Sequence, residues 1–251
     1  MKKIKLIFIS LFPEKIKSFL DYSIIKKPIE RGKVIIDFIN LRNFGKNKQK
    51  QVDDFQYGPG RGMVLMIEPL YEAIQEAKKR IEGAYQVILL TPQGEIWKQE
   101  RIAPLLSKYT NFIFVAGNYE GFDERIRAYV DCEWSIGDYV LSGGELPALV
   151  IANSLIRMLP NTIREESKTE DSFTKGRLDY PVYTKPLIFK NQKVPEILLS
   201  GHHENIKKWR KKTALYKTWK RRSDLLKTIV PTTEETKWIK EFINEAKNKF
   251  K

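Results

Sequence analysis

Three glycine-bearing segments contain residue types that could bind or transform a ligand. They are residues 57–63 (Tyr-Gly-Pro-Gly-Arg-Gly-Met), 115–125 (Val-Ala-Gly-Asn-Tyr-Glu-Gly-Phe-Asp-Glu-Arg) and 134–147 (Trp-Ser-Ile-Gly-Asp-Tyr-Val-Leu-Ser-Gly-Gly-Glu-Leu-Pro). Glycine lets a backbone approach a ligand closely or turn sharply, because it has no Cβ atom. None of the segments has the spacing of a dinucleotide-binding loop, a P-loop or a nucleophilic-serine turn, so the pattern excludes those chemistries.

Each segment also has a structural interpretation. The first could be a Gly/Pro turn, and the preceding Asp53 and Asp54 are either a metal or acid–base pair or turn-forming caps. The second follows an apolar run, so we expect it at the carboxyl end of a strand, where open α/β sheets bind ligands. Asp123 could instead cap a helix there. The third segment fits an adenosine-type ligand held by backbone groups, although spacing alone does not establish one.

The elements that position these segments alternate between strand and helix. Apolar runs and amphipathic stretches alternate through residues 1–160, which predicts a mainly parallel α/β sheet. The polar segment 161–175 lacks periodicity and is predicted to be a flexible linker, followed by a small helical domain over 176–251. The predicted strands are 4–9, 34–41, 87–90 and 112–116, and the predicted helices are 14–27, 68–81, 98–107, 145–158, 203–227 and 233–250.

The net charge of +14 indicates a polyanionic partner, either nucleic acid or an anionic membrane. Residues 201–227 hold ten basic and two acidic residues, a net charge of +8. Trp209, Tyr216 and Trp219 interleave with these cations, which is typical of a surface that follows phosphates and packs on bases. The alternative is a solvated helix face whose aromatic rings turn to its own core. A membrane is less favoured, since the segment lacks a broad apolar face.

Composition places the chain among ordinary globular proteins. It has 251 residues, of which 42% are hydrophobic and 30% charged. The single Cys132 and the adjacent His202 and His203 exclude a disulfide framework and a cysteine-rich zinc site, which predicts a cytoplasmic protein. The apolar run after the first lysines is too short for a signal peptide or a membrane span.

The chain resembles the bacterial tRNA (guanine-N1)-methyltransferases of the TrmD family, in the knotted SPOUT superfamily. The resemblance extends nearly end to end, and its most specific block is 135–147. Further matching pieces are Ile-Ser-Leu-Phe-Pro (9–13), Val-Asp-Asp (52–54), Glu-Asp-Ser-Phe (170–173), Val-Pro-Glu-Ile-Leu-Leu-Ser-Gly-His-His (194–203) and Thr-Trp-Lys-Arg-Arg (218–222).

The resemblance implies a trefoil-knotted domain over 1–160 that binds S-adenosyl-L-methionine, and a homodimer with its active site at the subunit interface. It implies methyl transfer to N1 of guanine 37 in tRNA, with Asp171 as general base and Arg157 supporting it. The segment 161–175 would then be an active-site lid. The implied cofactor-binding residues are Thr91, Pro92, Gly117, Asn118, Tyr119, Glu120, Ile136, Gly137, Asp138, Tyr139, Val140, Leu141, Gly143, Gly144 and Pro147.

For the tRNA, the predicted contacts combine the first glycine segment with the basic carboxyl-terminal helix. These candidates are Asp53, Arg61, Lys207, Lys208, Arg210, Arg221 and Arg222. Glu120 matches a family acid associated with a magnesium dependence, although one carboxylate is a small ligand set for Mg²⁺.

Some positions depart from the family pattern. Pro59 interrupts the usual Tyr-Gly-Gly-Gly loop, Asn118 replaces an arginine, and Val182 stands where the family has a histidine. These departures bear on tRNA contacts and loop stiffness. Two other functions remain: a noncatalytic RNA-binding protein, against which Asp171, Arg157 and the block 135–147 argue, and a knotted methyltransferase for another nucleotide, against which the full-length similarity argues.

Overall fold

The apolar runs of the first 135 residues form strands, most of which pair into one sheet. The computed structural model describes residues 3–20, 25–58, 60 and 62–249. The strands of this part are β1 (Ile4–Ser10), β2 (Val34–Asn40), β3 (Asp53–Phe55), β4 (Met63–Leu65), β5 (Tyr85–Ile96), β6 (Asn111–Ala116) and β7 (Cys132–Ser135). Five of them form a wholly parallel sheet in the order β2-β1-β6-β5-β7, and β3 and β4 form a separate antiparallel hairpin. The predicted mainly parallel α/β fold is confirmed.

Helices cover both faces of this sheet. They are α1 (Pro13–Leu20), α2 (Lys26–Glu30), α3 (Ile67–Lys79), α4 (Ile102–Lys108) and α5 (Glu145–Met158). Alternate residues of a strand point to opposite faces, so Phe8 lies in one apolar cluster with Leu155 of α5, and Ile7 lies in the other with Ala73 of α3. Burial on both faces explains why these strands read as continuous apolar runs.

Several element boundaries differ from the sequence predictions. The predicted helix 14–27 is two helices, α1 and α2, and residues 21–24 between them lie outside the described part of the chain. The predicted helix 98–107 begins as a 3-10 turn, Gln99–Arg101. The predicted strand 87–90 is part of the longer β5. The prediction stopped at Leu90 because a proline, here Pro92, is usually found outside the interior of a strand.

The chain divides into two compact units, Met1–Arg164 and Glu165–Lys251. The second unit contains α6 (Glu165–Glu170), the hairpin of β8 (Ile188–Phe189) and β9 (Gln192–Lys193), α7 (His203–Arg221) and α8 (Thr233–Lys249). Helix α6 lies within the segment 161–175 that was predicted to be a flexible linker. Lys168 in its last turn suits the helix dipole, but six residues are too few to show a period in the sequence. The predicted helix 203–227 ends as α7 at Arg221 and continues as a 3-10 turn.

A small apolar cluster and a buried ion pair hold the second unit together. Leu215, Trp238 and Phe242 form the cluster. The Glu235 carboxylate, 1% exposed, accepts from both terminal nitrogens of Arg177 at 2.6 and 3.1 Å. It also accepts from the Thr232 backbone N–H at 2.9 Å, and the Glu235 N–H donates to the Thr232 hydroxyl, which completes a capping box at the start of α8. The Arg177 guanidinium lowers the pKa of Glu235 to about 2.

Candidate active site

A cleft of about 360 Å³ opens at the carboxyl ends of β6 and β7 and beside the middle of β5. This is the edge at which open α/β sheets bind ligands. Fourteen of the fifteen predicted cofactor-binding residues line it: Thr91, Pro92, Gly117, Asn118, Tyr119, Glu120, Ile136, Gly137, Tyr139, Val140, Leu141, Gly143, Gly144 and Pro147. Asp138 is exposed and is not part of the lining. The structure therefore gathers segments that lie more than fifty residues apart in the sequence.

One wall of the cleft is a bulge in β5. Leu90 and Glu95 both pair with Trp134 of β7, so the four residues between them are displaced from the ladder. Two of these four are the predicted residues Thr91 and Pro92. A Cβ atom on Gly94 would lie 2.6 Å from the Glu133 backbone, so the strands can rejoin only because that position is glycine.

The loops after β6 and β7 contact each other through their glycines. The Gly144 N–H donates to the Gly117 carbonyl at 2.7 Å, and Asn118 and Gly143 form an isolated antiparallel bridge. A Cβ atom on Gly144 would lie 2.7 Å from the Gly117 nitrogen. The Ser-Gly-Gly sequence therefore allows a close approach of two backbones at the floor of the cleft.

The first glycine segment lies beside the second. Glu120 N–H donates to the Met63 carbonyl at 3.0 Å, and Leu65 N–H donates to the Gly121 carbonyl at 2.9 Å. Hydrogen bonds of this kind extend the β3–β4 hairpin, which begins at the half-buried Asp53, into the lining of the cleft. Pro59 and the predicted tRNA contact Arg61 lie outside the described residues.

The charged residues after this loop are mostly paired with one another. Asp123 caps the following 3-10 turn by accepting from the Arg125 N–H at 3.0 Å, as one of the two interpretations predicted. The Arg125 guanidinium also bonds this carboxylate and lowers the pKa of Asp123. Glu124 pairs with Arg127 at 2.7 Å rather than with Arg125.

Sequence reasoning missed one polar group behind the lining of the cleft. The Glu145 side chain, in a residue only 8% exposed, accepts from the Ser10 hydroxyl at 2.6 Å and from the Asn118 side-chain amide at 3.0 Å. A glutamate in the first turn of a helix is common because it suits the helix dipole. The signal that could have revealed it is its position directly after Gly143-Gly144, where the backbone leaves little room for a charged side chain.

Glu120 is exposed on the rim of the cleft. Within the described ranges, no three His, Cys, Asp or Glu side chains are grouped in a way that could hold a metal ion. Any magnesium ion at Glu120 would therefore need ligands from water or from the substrate.

The two predicted catalytic residues belong to different units. Arg157 lies in the last turn of α5 and is half-buried. Asp171 follows α6, is half-buried, and its backbone N–H donates to the Ser167 carbonyl at 3.1 Å. Arg157 is not part of the cleft lining within the first unit.

Several basic residues in α7 and directly after it are paired with acidic or aromatic side chains of the second unit. Lys208 pairs with Glu234 at 3.0 Å, Arg222 pairs with Asp224 at 2.7 Å, and the Arg210 guanidinium lies 4.7 Å from the centre of the Tyr180 ring. The exposed Lys207 and Arg221 form no ion pair with any residue in the described ranges. They are the predicted RNA contacts with the most available charge.

Two of the three aromatic residues of α7 that were singled out in the sequence pack against the core of the second unit. Tyr216 and Trp219 lie with ring centres 5.1 and 6.0 Å from that of Phe242 and are half-buried against the apolar cluster. This packing agrees with the interpretation in which the rings turn to the protein's own core. Trp209 instead lies 6.4 Å from Tyr183, outside that cluster.

Comparison with known proteins identifies the family. The profile of the family described as "tRNA (Guanine-1)-methyltransferase TrmD" matches residues 4–228. The chain is 50% identical over 224 residues to a tRNA (guanine-N(1)-)-methyltransferase of Mycoplasma mycoides, covering 88% of this chain and 91% of that protein. It is 48% identical over 233 residues to the protein of the same name from Halalkalibacterium halodurans, covering 92% and 94%.

A solved structure shares both sequence and fold. The crystal structure of tRNA (m1G37) methyltransferase from Aquifex aeolicus matches with a TM-score of 0.72 and 38% identity, over 90% of this chain and 96% of that chain. Among the described residues, no helix is long and apolar enough to cross a membrane. Family profile, curated relatives and solved structure agree, and the chain belongs to the TrmD family of tRNA (guanine-N1)-methyltransferases and is an enzyme of that class.

Proposed function

We propose that this enzyme transfers the methyl group of S-adenosyl-L-methionine to N1 of guanine at position 37 of tRNA, beside the anticodon. The observation that carries the proposal is the glycine-lined cleft, in which fourteen of the fifteen predicted cofactor residues meet. The Aquifex aeolicus protein with the same fold is named for methylation at this position. The net charge of +14 suits a tRNA substrate.

The lining of the cleft fits the methyl donor. Its volume of about 360 Å³ is within the usual range of small-molecule sites. Gly117, Gly143 and Gly144 line the cleft without side chains of their own, so a ligand can approach their backbone closely. When bound, the donor supplies an activated methyl group on a sulfonium, so the protein's task is alignment and proton removal.

Asp171 is the proposed general base. Guanine N1 carries a weakly acidic proton, and a carboxylate beside it would accept that proton as the new N–C bond forms, an effect usually worth about 10² to 10⁴ in rate. Arg157 would then stabilise negative charge on guanine O6 or orient Asp171. The assignments rest on the Glu-Asp-Ser-Phe motif and on the place of Arg157 in α5.

The proposed assembly is a cytoplasmic homodimer with its active sites at the subunit interface and its cofactor loops in a trefoil knot. Large apolar side chains exposed on the first unit support a protein–protein contact: Phe19 of α1 is 47% exposed, and Leu146 and Val150 of α5 are 55% and 48% exposed. The segment 161–175 would act as a lid that orders over the flipped guanine, which offsets part of the few kcal/mol needed to unstack the base.

The direct test is methyl transfer from labelled S-adenosyl-L-methionine to two unmodified tRNA transcripts, one with guanine and one with adenine at position 37. We expect label on the first transcript only, at N1 of that guanine. Transfer to both would keep the enzyme class and reject the target. Transfer to neither, by folded protein supplied with magnesium, would favour a noncatalytic RNA-binding protein.

A further inference from the structure

We propose that Glu145 is a positioning residue of the donor cleft, because its buried carboxylate holds the two glycine loops together through Asn118. The inference rests on the proposed function, since it concerns how that cleft keeps the shape that binds S-adenosyl-L-methionine. None of the sequence motifs assigned Glu145 a role.

The contacts place Glu145 at a junction of three elements. Its carboxylate accepts from Ser10 at the end of β1 and from Asn118 in the loop after β6, at 2.6 and 3.0 Å, and Glu145 itself begins α5. One carboxylate oxygen therefore joins the sheet, the loop of the second glycine segment and the helix. Hydrogen bonds to an ionised acceptor are about twice as strong as those between neutral groups.

The position of the second carboxylate oxygen of Glu145 explains why residue 143 is a glycine. A Cβ atom on Gly143 would lie 2.4 Å from Glu145 Oε2 and 2.8 Å from Asn118 Oδ1. The two side chains thus pack directly against the backbone of Gly143, one of the residues that line the cleft. A change in the Asn118–Glu145 contact would move the lining itself.

This contact adds a side-chain link to two backbone links between the same loops. The loops already share the Gly144–Gly117 hydrogen bond of 2.7 Å and the Asn118–Gly143 bridge. Backbone links alone leave the separation of two glycine-rich loops loosely determined, since glycine restricts the chain least. The buried acid fixes that separation, and it adds a negative charge near a site that accepts a cationic donor.

A double-mutant cycle that exchanges the acid and the amide between positions 118 and 145 distinguishes a positioning role of Glu145 from a general effect on stability. Asn118→Asp places two carboxylates about 3.0 Å apart, and we expect the Kd for S-adenosyl-L-methionine to rise about tenfold or more. Glu145→Gln keeps an acceptor for Asn118 and should raise the Kd a few-fold. In the double variant, the amide at 145 can donate to the carboxylate at 118. The Kd should return to within about threefold of wild type, which a sum of two independent defects would not give.

Ser10→Ala is the matched control, because it removes the other hydrogen bond to the same carboxylate oxygen. We expect it to lower the unfolding temperature and to leave the Kd within about twofold of wild type. Steady-state kinetics add a second readout: Asn118→Asp should raise KM for S-adenosyl-L-methionine and leave KM for tRNA unchanged. If Asn118→Asp does not fold, Asn118→Ala removes the donor without adding charge and should give a smaller rise in Kd.

The inference would be overturned if the increases in Kd of the two single variants multiply in the double variant. An unchanged Kd in Asn118→Asp would overturn it as well. Both outcomes presuppose that wild-type protein binds S-adenosyl-L-methionine in the calorimeter. Wild-type protein that does not bind it would overturn the proposed function, and the inference with it. Calorimetry of the wild type therefore distinguishes the two failures.

Discussion

The amino-terminal and carboxyl-terminal units are stabilised by different interactions. The first buries parallel strands under helices on both faces, in two apolar clusters. The second, in its described part, has a cluster of three buried apolar side chains and adds the Arg177–Glu235 ion pair. A large apolar core can support a cleft built from glycine-rich loops, whereas a small basic unit needs buried polar contacts to define one structure. The difference matches the proposed tasks, donor binding in the first unit and base and tRNA contacts in the second.

The largest effect on stability is expected from Arg177→Leu. This change removes the main partner of the buried Glu235 carboxylate and leaves Lys211, at 3.4 Å, to compensate part of the charge. Breaking a buried ion pair typically costs about 3–5 kcal/mol, and we expect a value near the lower end. Unfolding followed by tryptophan fluorescence should show the second unit, which contains Trp238, melting before the first. Lys208→Leu is the control, since its exposed pair with Glu234 should contribute less than about 1 kcal/mol. Equal effects of the two variants would contradict the stabilising role assigned to the buried ion pair of the second unit.

Acid should weaken the second unit through the same carboxylate. The pKa of Glu235 is about 2 in the folded protein, below its ordinary value of 4.5. A lowered folded-state pKa gives stability that is fully present above the unfolded pKa and lost as the pH falls from about 4.5 towards 2. Urea unfolding measured across this range should show the loss in wild type, and Glu235→Gln should remove this part of the pH dependence. A pH dependence that persists in Glu235→Gln would assign it to other carboxylates.

The first unit should instead be sensitive to glycine substitution at its loops. Gly144→Ala puts a Cβ atom 2.7 Å from a backbone nitrogen that cannot move without opening the cleft. Overpacking of this kind costs about 1–3 kcal/mol, so we expect donor affinity to fall about 10- to 100-fold. Calorimetry measures this directly, with Ser18→Ala as control, because Ser18 is an exposed residue of α1 outside the cleft lining. Unchanged affinity in Gly144→Ala would mean that the donor does not depend on this close approach.

The smallest expected effect is on the reactivity of the Cys132 thiol in β7. Burial raises the pKa of its thiol to about 12, so almost none of it is thiolate at pH 8. Alkylation by iodoacetamide should be slow in the native protein and fast in denaturant, as measured by mass spectrometry. Rapid native alkylation would indicate that the β5–β7 edge opens readily, contrary to a rigid first unit.

The two units also differ in how much of them the sequence could predict. Apolar runs predicted β1 and β6 nearly to the residue, because burial on both faces leaves a continuous signal. They also predicted the edge strand β2, although only Val34 and Ile39 are buried there. The β5 bulge could not be predicted, since Pro92 and Gly94 are typical of a turn and only the register with Trp134 shows that the strand resumes. In the second unit, spacing predicted α7 and α8, but the side to which Tyr216 and Trp219 turn depends on Phe242, a tertiary contact.

The candidate site could also be predicted only in part from the sequence. Glycine segments indicated where a ligand could bind, but the fact that they meet depends on strand order, which periodicity does not encode. Glu145 was missed because its partners Ser10 and Asn118 lie 135 and 27 residues away in sequence. Asp171 and Arg157 carry no local signal, and their proposed roles depend on the family motif.

The central claim is that the first unit binds the donor and Asp171 of the second unit supplies the base. Asp171→Asn tests it most directly, in a single-turnover assay of methyl transfer to tRNA with guanine 37, with Glu170→Gln as the neighbouring control. We predict that the rate falls about 10²- to 10⁴-fold while the Kd values for S-adenosyl-L-methionine and tRNA stay near those of wild type. A near-normal single-turnover rate in Asp171→Asn would contradict the account.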